Sequence, residues 1–147
     1  LSLLPNMGAN GPLLIINSDL MTKLDYRWII DFHNARGGGA TVCTREYSFE
    51  IPYGVVEIED QSVKGIVEKP LQRYQVNAGI YVLDQEAIDI VSKEQMIDMT
   101  EVLTQQISAN RKVNAYPIHE DWTDIGRHSD YRRAIDSINI SKNLPGE

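Results

Sequence analysis

The apolar residues of this chain fall into short runs separated by Gly, Pro, Asp and Asn, and the runs switch between strand and helix periods. Leu13-Leu14-Ile15-Ile16-Asn17 is almost wholly apolar, the pattern of a strand covered on both faces. After Asp25, a residue suited to an N-cap, Trp28, Ile29, Phe32 and Ala35 recur at helical spacing until Gly37-Gly38-Gly39 stops them. Ala40 to Tyr47 reads as a second strand, so that strand, helix and strand make a βαβ unit. Tyr53 to Ile58 and Val63 to Glu68 read as a hairpin turning at Asp60-Gln61. Val76 to Leu83 follows as another strand, in which Gly79 marks a bulge or a close approach.

A short helix capped by Asp84 is expected through Val91, and a second headed by Thr100 runs to Asn110. Val113, Tyr116 and Ile118 form a last strand, and from Arg127 to about Ile140 the residues Tyr131, Ala134, Ile135 and Ile138 share a helical face. Leu1-Ser2-Leu3-Leu4-Pro5 reads as the final turn of a helix whose beginning is absent, which marks the chain as a fragment. The expected organisation is one α/β domain over residues 1–141, with a mixed, mostly parallel sheet flanked by helices, and a flexible tail over residues 142–147.

Composition narrows the chemistry. With 147 residues, 42% hydrophobic and 24% charged, the chain has enough apolar material for a real core. Its net charge is −7 with Lys and Arg scattered, so the basic stripe of a nucleic-acid binder is missing, and any handling of phosphate needs metal ions or locally placed cations. The single Cys43 sits mid-strand, which points to a buried structural thiol and a reducing cytoplasm. No apolar run reaches membrane-spanning length, so neither a membrane nor a nucleic acid is expected as partner.

Asp19 stands where the first strand stops, the place from which an open α/β sheet reaches ligand. Asp124, inside Asp121-Trp122-Thr123-Asp124-Ile125-Gly126, reads by itself as part of an acidic turn leading to a helix N-terminus. Set opposite Asp19, it would complete a pair of hard oxygen donors for a divalent cation that keeps phosphate and water as its other ligands. Glu68-Lys69-Pro70 closes a strand with an acid and a base on opposite faces, before a proline that favours extension of the residue preceding it. Tyr53-Gly54 and Asn77-Ala78-Gly79-Ile80-Tyr81 each join a ring to an unobstructed backbone. His33, His119 and His128 lack metal-like spacing and read as surface residues. No Ser-His-Asp order, Cys pair or Walker loop is present.

Taken in order, Asn17-Ser18-Asp19, Tyr53-Gly54-Val55-Val56, Glu68-Lys69-Pro70, Asn77-Ala78-Gly79-Ile80-Tyr81 and Trp122-Thr123-Asp124-Ile125-Gly126 resemble the sugar-1-phosphate nucleotidyltransferases, closest to the mannose-1-phosphate guanylyltransferase-like group. The resemblance runs from about Leu1 to Ala134. It implies a Rossmann-like nucleotidyltransferase fold and a reaction in which an NTP and a sugar 1-phosphate give an NDP-sugar and pyrophosphate. It further implies that Asp19 and Asp124 hold Mg²⁺, that Lys69 neutralises the sugar phosphate, and that Glu68 accepts hydrogen bonds from sugar hydroxyls. Gly54 and Asn77 would contact the sugar, Gly79 would leave room, and Tyr53 and Tyr81 would line the pocket.

Two departures from the family pattern bear on these roles. Ser18 stands where the family has Gly, and the family's Gly-rich nucleotide loop, with its Arg and later Lys, does not occur in this sequence. The resemblance therefore implies the sugar-binding portion, with the N-terminal nucleotide-binding part missing and little or no turnover by the chain alone. Without a neighbour, the run Leu13 to Asn17 becomes an exposed edge through which copies of the chain would associate. Two alternatives share the pattern: a glycosyltransferase using a ready-made nucleotide sugar, and a non-catalytic sugar-phosphate sensor.

Overall fold

The computed structural model describes residues 11–89 and 97–126. The expected helical turn at Leu1 to Leu4, the end of the helix towards Val91, the helix from Arg127 to Ile140, His128 and the tail over residues 142–147 lie outside the described residues. Eight strands and three helices are described: β1 (Leu13–Ile16), β2 (Leu20–Thr22), α1 (Tyr26–Arg36), β3 (Ala40–Glu50), β4 (Val55–Glu59), β5 (Ser62–Val67), β6 (Leu71–Leu83), α2 (Gln85–Asp89), α3 (Met99–Ser108), β7 (Val113–Pro117) and β8 (Trp122–Asp124).

The central sheet has the order β1-β6-β3-β7. β6 runs antiparallel to both β1 and β3, whereas β3 and β7 are parallel. Three of the four strands thus share one direction, and the βαβ unit formed by β1, α1 and β3 leaves a slot that β6 fills from the opposite direction. Helices cover both faces. Along β6, Ile80 and Val82 face a cluster that includes Ile29 of α1, while Tyr81 and Leu83 face one formed by Ala87, Val102 and Leu103 of α2 and α3, following the two-residue period of a strand. Among the described residues β1 forms one edge of this sheet.

Local chemistry explains the boundaries of α1. Asp25 is its N-cap and its Oδ1 accepts the Arg27 amide at 3.0 Å; at the other end Gly37, at φ 60°, donates its N–H to the His33 carbonyl. The buried face differs from the expected one. Ile29 and His33 are fully buried, four residues apart on one face, while Trp28 is 57% exposed. His33 is therefore a core residue and not a surface one: its Nδ1 lies 2.8 Å from Thr41 Oγ1 and its Nε2 3.2 Å from Asp84 Oδ1. That contact occupies the Asp84 side chain, and α2 begins instead on the Asp84 carbonyl, which accepts from Ala87 and Ile88. α3 is headed two residues earlier than expected, by Asp98 rather than Thr100, and the Asp98 carbonyl accepts from Glu101 and Val102.

Beyond the core, β3 and β6 continue as a two-stranded ribbon in which Glu50 pairs with Leu71. The ribbon carries exposed Tyr47, Phe49 and Tyr74, with the Phe49 and Tyr74 rings stacked 6.1 Å apart. At its far end Ile51 donates to the Pro70 carbonyl at 3.1 Å, closing a neck from which the β4–β5 hairpin projects. The hairpin turns at Asp60 and Gln61, both left-handed at φ 47° and 64°, the backbone of a two-residue hairpin turn.

Candidate functional site

The candidate residues fall into three groups, each built by a different piece of backbone. Asp19 and Asp124 form the first. The expectation that the segment around Asp124 is an acidic turn is corrected: Trp122 to Asp124 is β8, paired antiparallel with β2 so that Thr22 meets Trp122 and Leu20 meets Asp124, while the helix expected after it lies outside the described residues. The ladder continues as Ile125 donates to the Asp19 carbonyl at 2.8 Å and Lys23 to the Asp121 carbonyl at 3.1 Å. Both carboxylates then converge on Gly126. A Cβ built there lies 2.9 Å from Asp19 Oδ2 and 3.0 Å from Asp124 Oδ1, so the two oxygens are no more than about 6 Å apart, a separation at which like charges repel. Asp124 Oδ1 also accepts the Gly126 amide at 2.8 Å.

Among the described residues no Lys or Arg is paired with either aspartate. Lys23 is bonded to Asp121 at 2.6 Å, which raises the lysine and lowers the aspartate from their ordinary values, and Arg27 is bonded to Asp25. Two converging carboxylates suit a hard divalent cation, which takes oxygen donors and retains substrate phosphate and water. No group of three or more His, Cys, Asp or Glu able to hold a metal occurs among the described residues.

The second group is the bulge of β6. The register passes from Val42–Tyr81 to Thr44–Asn77, so that Ala78, Gly79 and Ile80 stand opposite Cys43 alone. Gly79 sits at φ 72°, and a side chain there would meet Asn17 Nδ2 at 2.7 Å, which is the close approach expected of a glycine within a strand. Asn17 donates its amide to the Gly79 carbonyl at 2.9 Å. Asn77 holds the turn with its own side chain, accepting from the Gly79 amide at 2.9 Å and donating to the Tyr81 hydroxyl at 2.8 Å. Tyr81, expected to line the pocket, is instead 3% exposed and packs in the second core cluster, with its hydroxyl turned to Asn77. Trp122 Nε1 donates to the Ala78 carbonyl at 2.9 Å, tying β8 to the bulge.

The third group sits at the base of the hairpin. Val55 pairs with Val67, which sets Gly54 beside Glu68, and a Cβ on Gly54 would lie 2.9 Å from Glu68 Oε2. Tyr53 is 74% exposed, and Glu68 and Lys69 are exposed as well. Lys69 departs from the extended backbone that Pro70 favours: its φ is 45°, an uncommon conformation for a side-chain-bearing residue that is held where the surroundings demand it. Here the reversal returns the chain to pair with β3.

The first two groups adjoin through Asn17, Gly79 and Trp122. Leu71 to Asn77 spans about 20 Å if straight, and among the described residues no hydrogen bond or ion pair joins Tyr53, Gly54, Glu68 or Lys69 to the aspartates. Sequence reasoning passed over Asn17, Trp122 and Gly126 as individual residues, although all three lie inside motifs it selected. It also missed an open cavity of about 360 Å³ beside the middle of β3 and the carboxyl end of β7, lined by Arg45, Glu46, Gln75, Pro117, Ile118 and His119, where the Arg45 guanidinium donates to the Glu120 carbonyl at 2.6 Å.

Comparison with known proteins adds an independent line. The nucleotidyl transferase family model matches residues 4–140. The chain is 32% identical over 139 residues to probable mannose-1-phosphate guanylyltransferase 1 of Oryza sativa subsp. japonica, covering 89% of this chain and 38% of that protein. It is 30% identical over 131 residues to mannose-1-phosphate guanyltransferase of Pichia angusta, covering 83% and 35%. Among solved structures, a putative glucose-1-phosphate thymidylyltransferase from Bacillus anthracis matches 94% of this chain and 57% of its own, with TM-score 0.61 and 18% identity. HddC from Yersinia pseudotuberculosis matches 87% and 56%, with TM-score 0.59 and 22% identity. These structures share the fold, and the chain spans little more than a third of the length of the two curated relatives named here.

Proposed function

The chain belongs to the nucleotidyl transferase family, and from that membership we propose that it carries the sugar-phosphate-binding and cation-binding portion of a sugar-1-phosphate nucleotidyltransferase. In the reaction, a sugar-phosphate oxygen attacks the α-phosphorus of an NTP in line, and the bond to the departing pyrophosphate breaks. Such a transfer needs positioning and charge neutralisation rather than a protein nucleophile. A divalent cation, Mg²⁺ in this reading, supplies neutralisation of the phosphates when held by Asp19 and Asp124. Lys69 meets the sugar phosphate with its ammonium, which requires the β3–β6 ribbon to curve so that the hairpin base faces the aspartates; Glu68 accepts from sugar hydroxyls, and the bare backbone of Gly54 lets the ring approach beside Tyr53. Asn77, with one N–H and one lone pair left after its two internal bonds, reaches a further hydroxyl, while Gly79 leaves room. The activities for which the relatives from Oryza sativa subsp. japonica and Pichia angusta are named favour mannose 1-phosphate and a guanine nucleotide.

The observation that carries this reading is the convergence of Asp19 and Asp124 on Gly126 from positions about 100 residues apart, the arrangement that hard-cation chemistry requires. It is tested by calorimetry of mannose 1-phosphate on the chain. Binding should tighten with Mg²⁺, and Asp19→Asn or Asp124→Asn should abolish the gain; equal affinity with and without metal rules the reading out. Lys69→Ala should weaken binding by about 1.5–3 kcal/mol, as for a charge-assisted hydrogen bond. Because no Gly-rich nucleotide loop occurs in the sequence, the chain alone should release little or no pyrophosphate from an NTP. In this reading the partners are sugar 1-phosphate, NTP and a second copy of the chain at the β1 edge, and the setting is the cytoplasm.

A further inference from the structure

Gly126 is conspicuous for what its backbone does not require. Glycines at 37, 38 and 79 occupy left-handed conformations, whereas Gly126 is not among the residues with positive φ. Its amide donates to Asp124 Oδ1, which any residue other than proline would do. The space around it is equally permissive: it is exposed, and the three atoms nearest to a Cβ placed there are Asp19 Oδ2 at 2.9 Å, Asp124 Oδ1 at 3.0 Å and Asp19 Cγ at 3.7 Å. Among the described residues no other atom comes as near, so the missing side chain matters first to the two carboxylates. At 2.9 Å the Asp19 oxygen would have to shift and at 3.0 Å the Asp124 oxygen would have to give by a few tenths of an ångström, and both are the ends of short side chains rather than backbone.

We propose that Gly126 is the positioning residue of the carboxylate pair: by lacking a Cβ it lets the Asp19 and Asp124 carboxylates both close in against its backbone, and so come near enough to each other that the two would hold one compact divalent cation. A methyl group there would take up that space and turn both carboxylates away, with little effect on the β2–β8 ladder, whose bonds are made by other backbone groups. The proposal rests on the reading of Asp19 and Asp124 as a cation pair, and its test separates the two. The probe is Mn²⁺ alone, added to the whole chain and followed by water-proton relaxation and by broadening of backbone amide signals near Gly126.

The unsubstituted chain should bind Mn²⁺ and lose the amide signals of residues 19 and 124–126. Asp19→Asn and Asp124→Asn should each abolish this; if they do not, the pair is not a cation site at all. Gly126→Ala should lower Mn²⁺ affinity by about tenfold or more, with an unchanged melting midpoint and unshifted amide signals in β3 and β6. Normal Mn²⁺ affinity in Gly126→Ala, together with loss in both aspartate variants, would overturn the role of Gly126 while sparing the pair. A Gly126→Ala chain that does not fold would overturn it equally, because the proposal requires that only two flexible carboxylates give way.

Discussion

Cys43 lies opposite the β6 bulge and is fully buried. Burial, and to a lesser extent the charge of Glu120, pushes its thiol up from 9.0 to about 12. The folded chain therefore keeps a proton that the unfolded chain releases near 9.0, so the contribution of this group to stability is fully present below that pH and declines as pH rises from about 9 towards 12. At pH 8 iodoacetamide should modify Cys43 only as fast as the chain opens, and urea should accelerate the reaction; prompt labelling of the native protein contradicts the burial. His33 is a second residue whose environment decides its behaviour. Truncation by His33→Ala removes packing and strands Thr41 and Asp84, which should lower stability in urea by about 2–4 kcal/mol. Burial of Cys43 was legible from its place in an apolar strand. That of His33 was not, because polar residues are mostly exposed, and only its spacing of four from Ile29 hinted otherwise.

β8 is three residues long and its partner β2 lies about 100 residues earlier, so no local periodicity can reveal either strand. The pair nevertheless carries Asp124 and brings it to Asp19. Its link to the sheet is Trp122, whose indole N–H satisfies the Ala78 carbonyl. Trp122→Phe keeps most of the packing but leaves that carbonyl unpaired, and should lower stability by about 1–3 kcal/mol; a urea midpoint identical to that of the unsubstituted chain would show that the bond is dispensable. The β4–β5 hairpin behaves differently. It is a two-stranded sheet with Val56, Ile58, Val63 and Ile66 exposed, and such ribbons are marginal in isolation. Its amides should exchange with deuterium much faster than those of Ala78 to Leu83 in β6, which are buried on both faces; matched protection of the two would mean that the hairpin is held by contacts of its own.

Across the whole molecule, β1 and β7 are the outer strands of the central sheet among the described residues, and β1 is the more apolar edge. Leu13 to Ile15 are half-buried, Ile16 is 37% exposed, and the outer amides have no partner among the described residues. An apolar edge of this kind pairs with other strands, so light scattering should show mass rising with concentration, accompanied by protection of the Leu13 to Ile16 amides. A monomer at all concentrations with freely exchanging amides removes the idea. The alternation of strand and helix, the two hairpin strands, the bulge at Gly79 and the candidate acids were legible from sequence, because each depends on residues near one another in the chain: apolar period, caps, glycine punctuation and turn residues. Local pattern carries no information on which strands become neighbours. The insertion of β6 between β1 and β3, the burial of Tyr81 behind Asn77 and the meeting of Asp19, Asp124 and Gly126 were decided only when residues remote in sequence were packed together in the tertiary structure, since pairing and burial depend on the surfaces that distant elements offer each other.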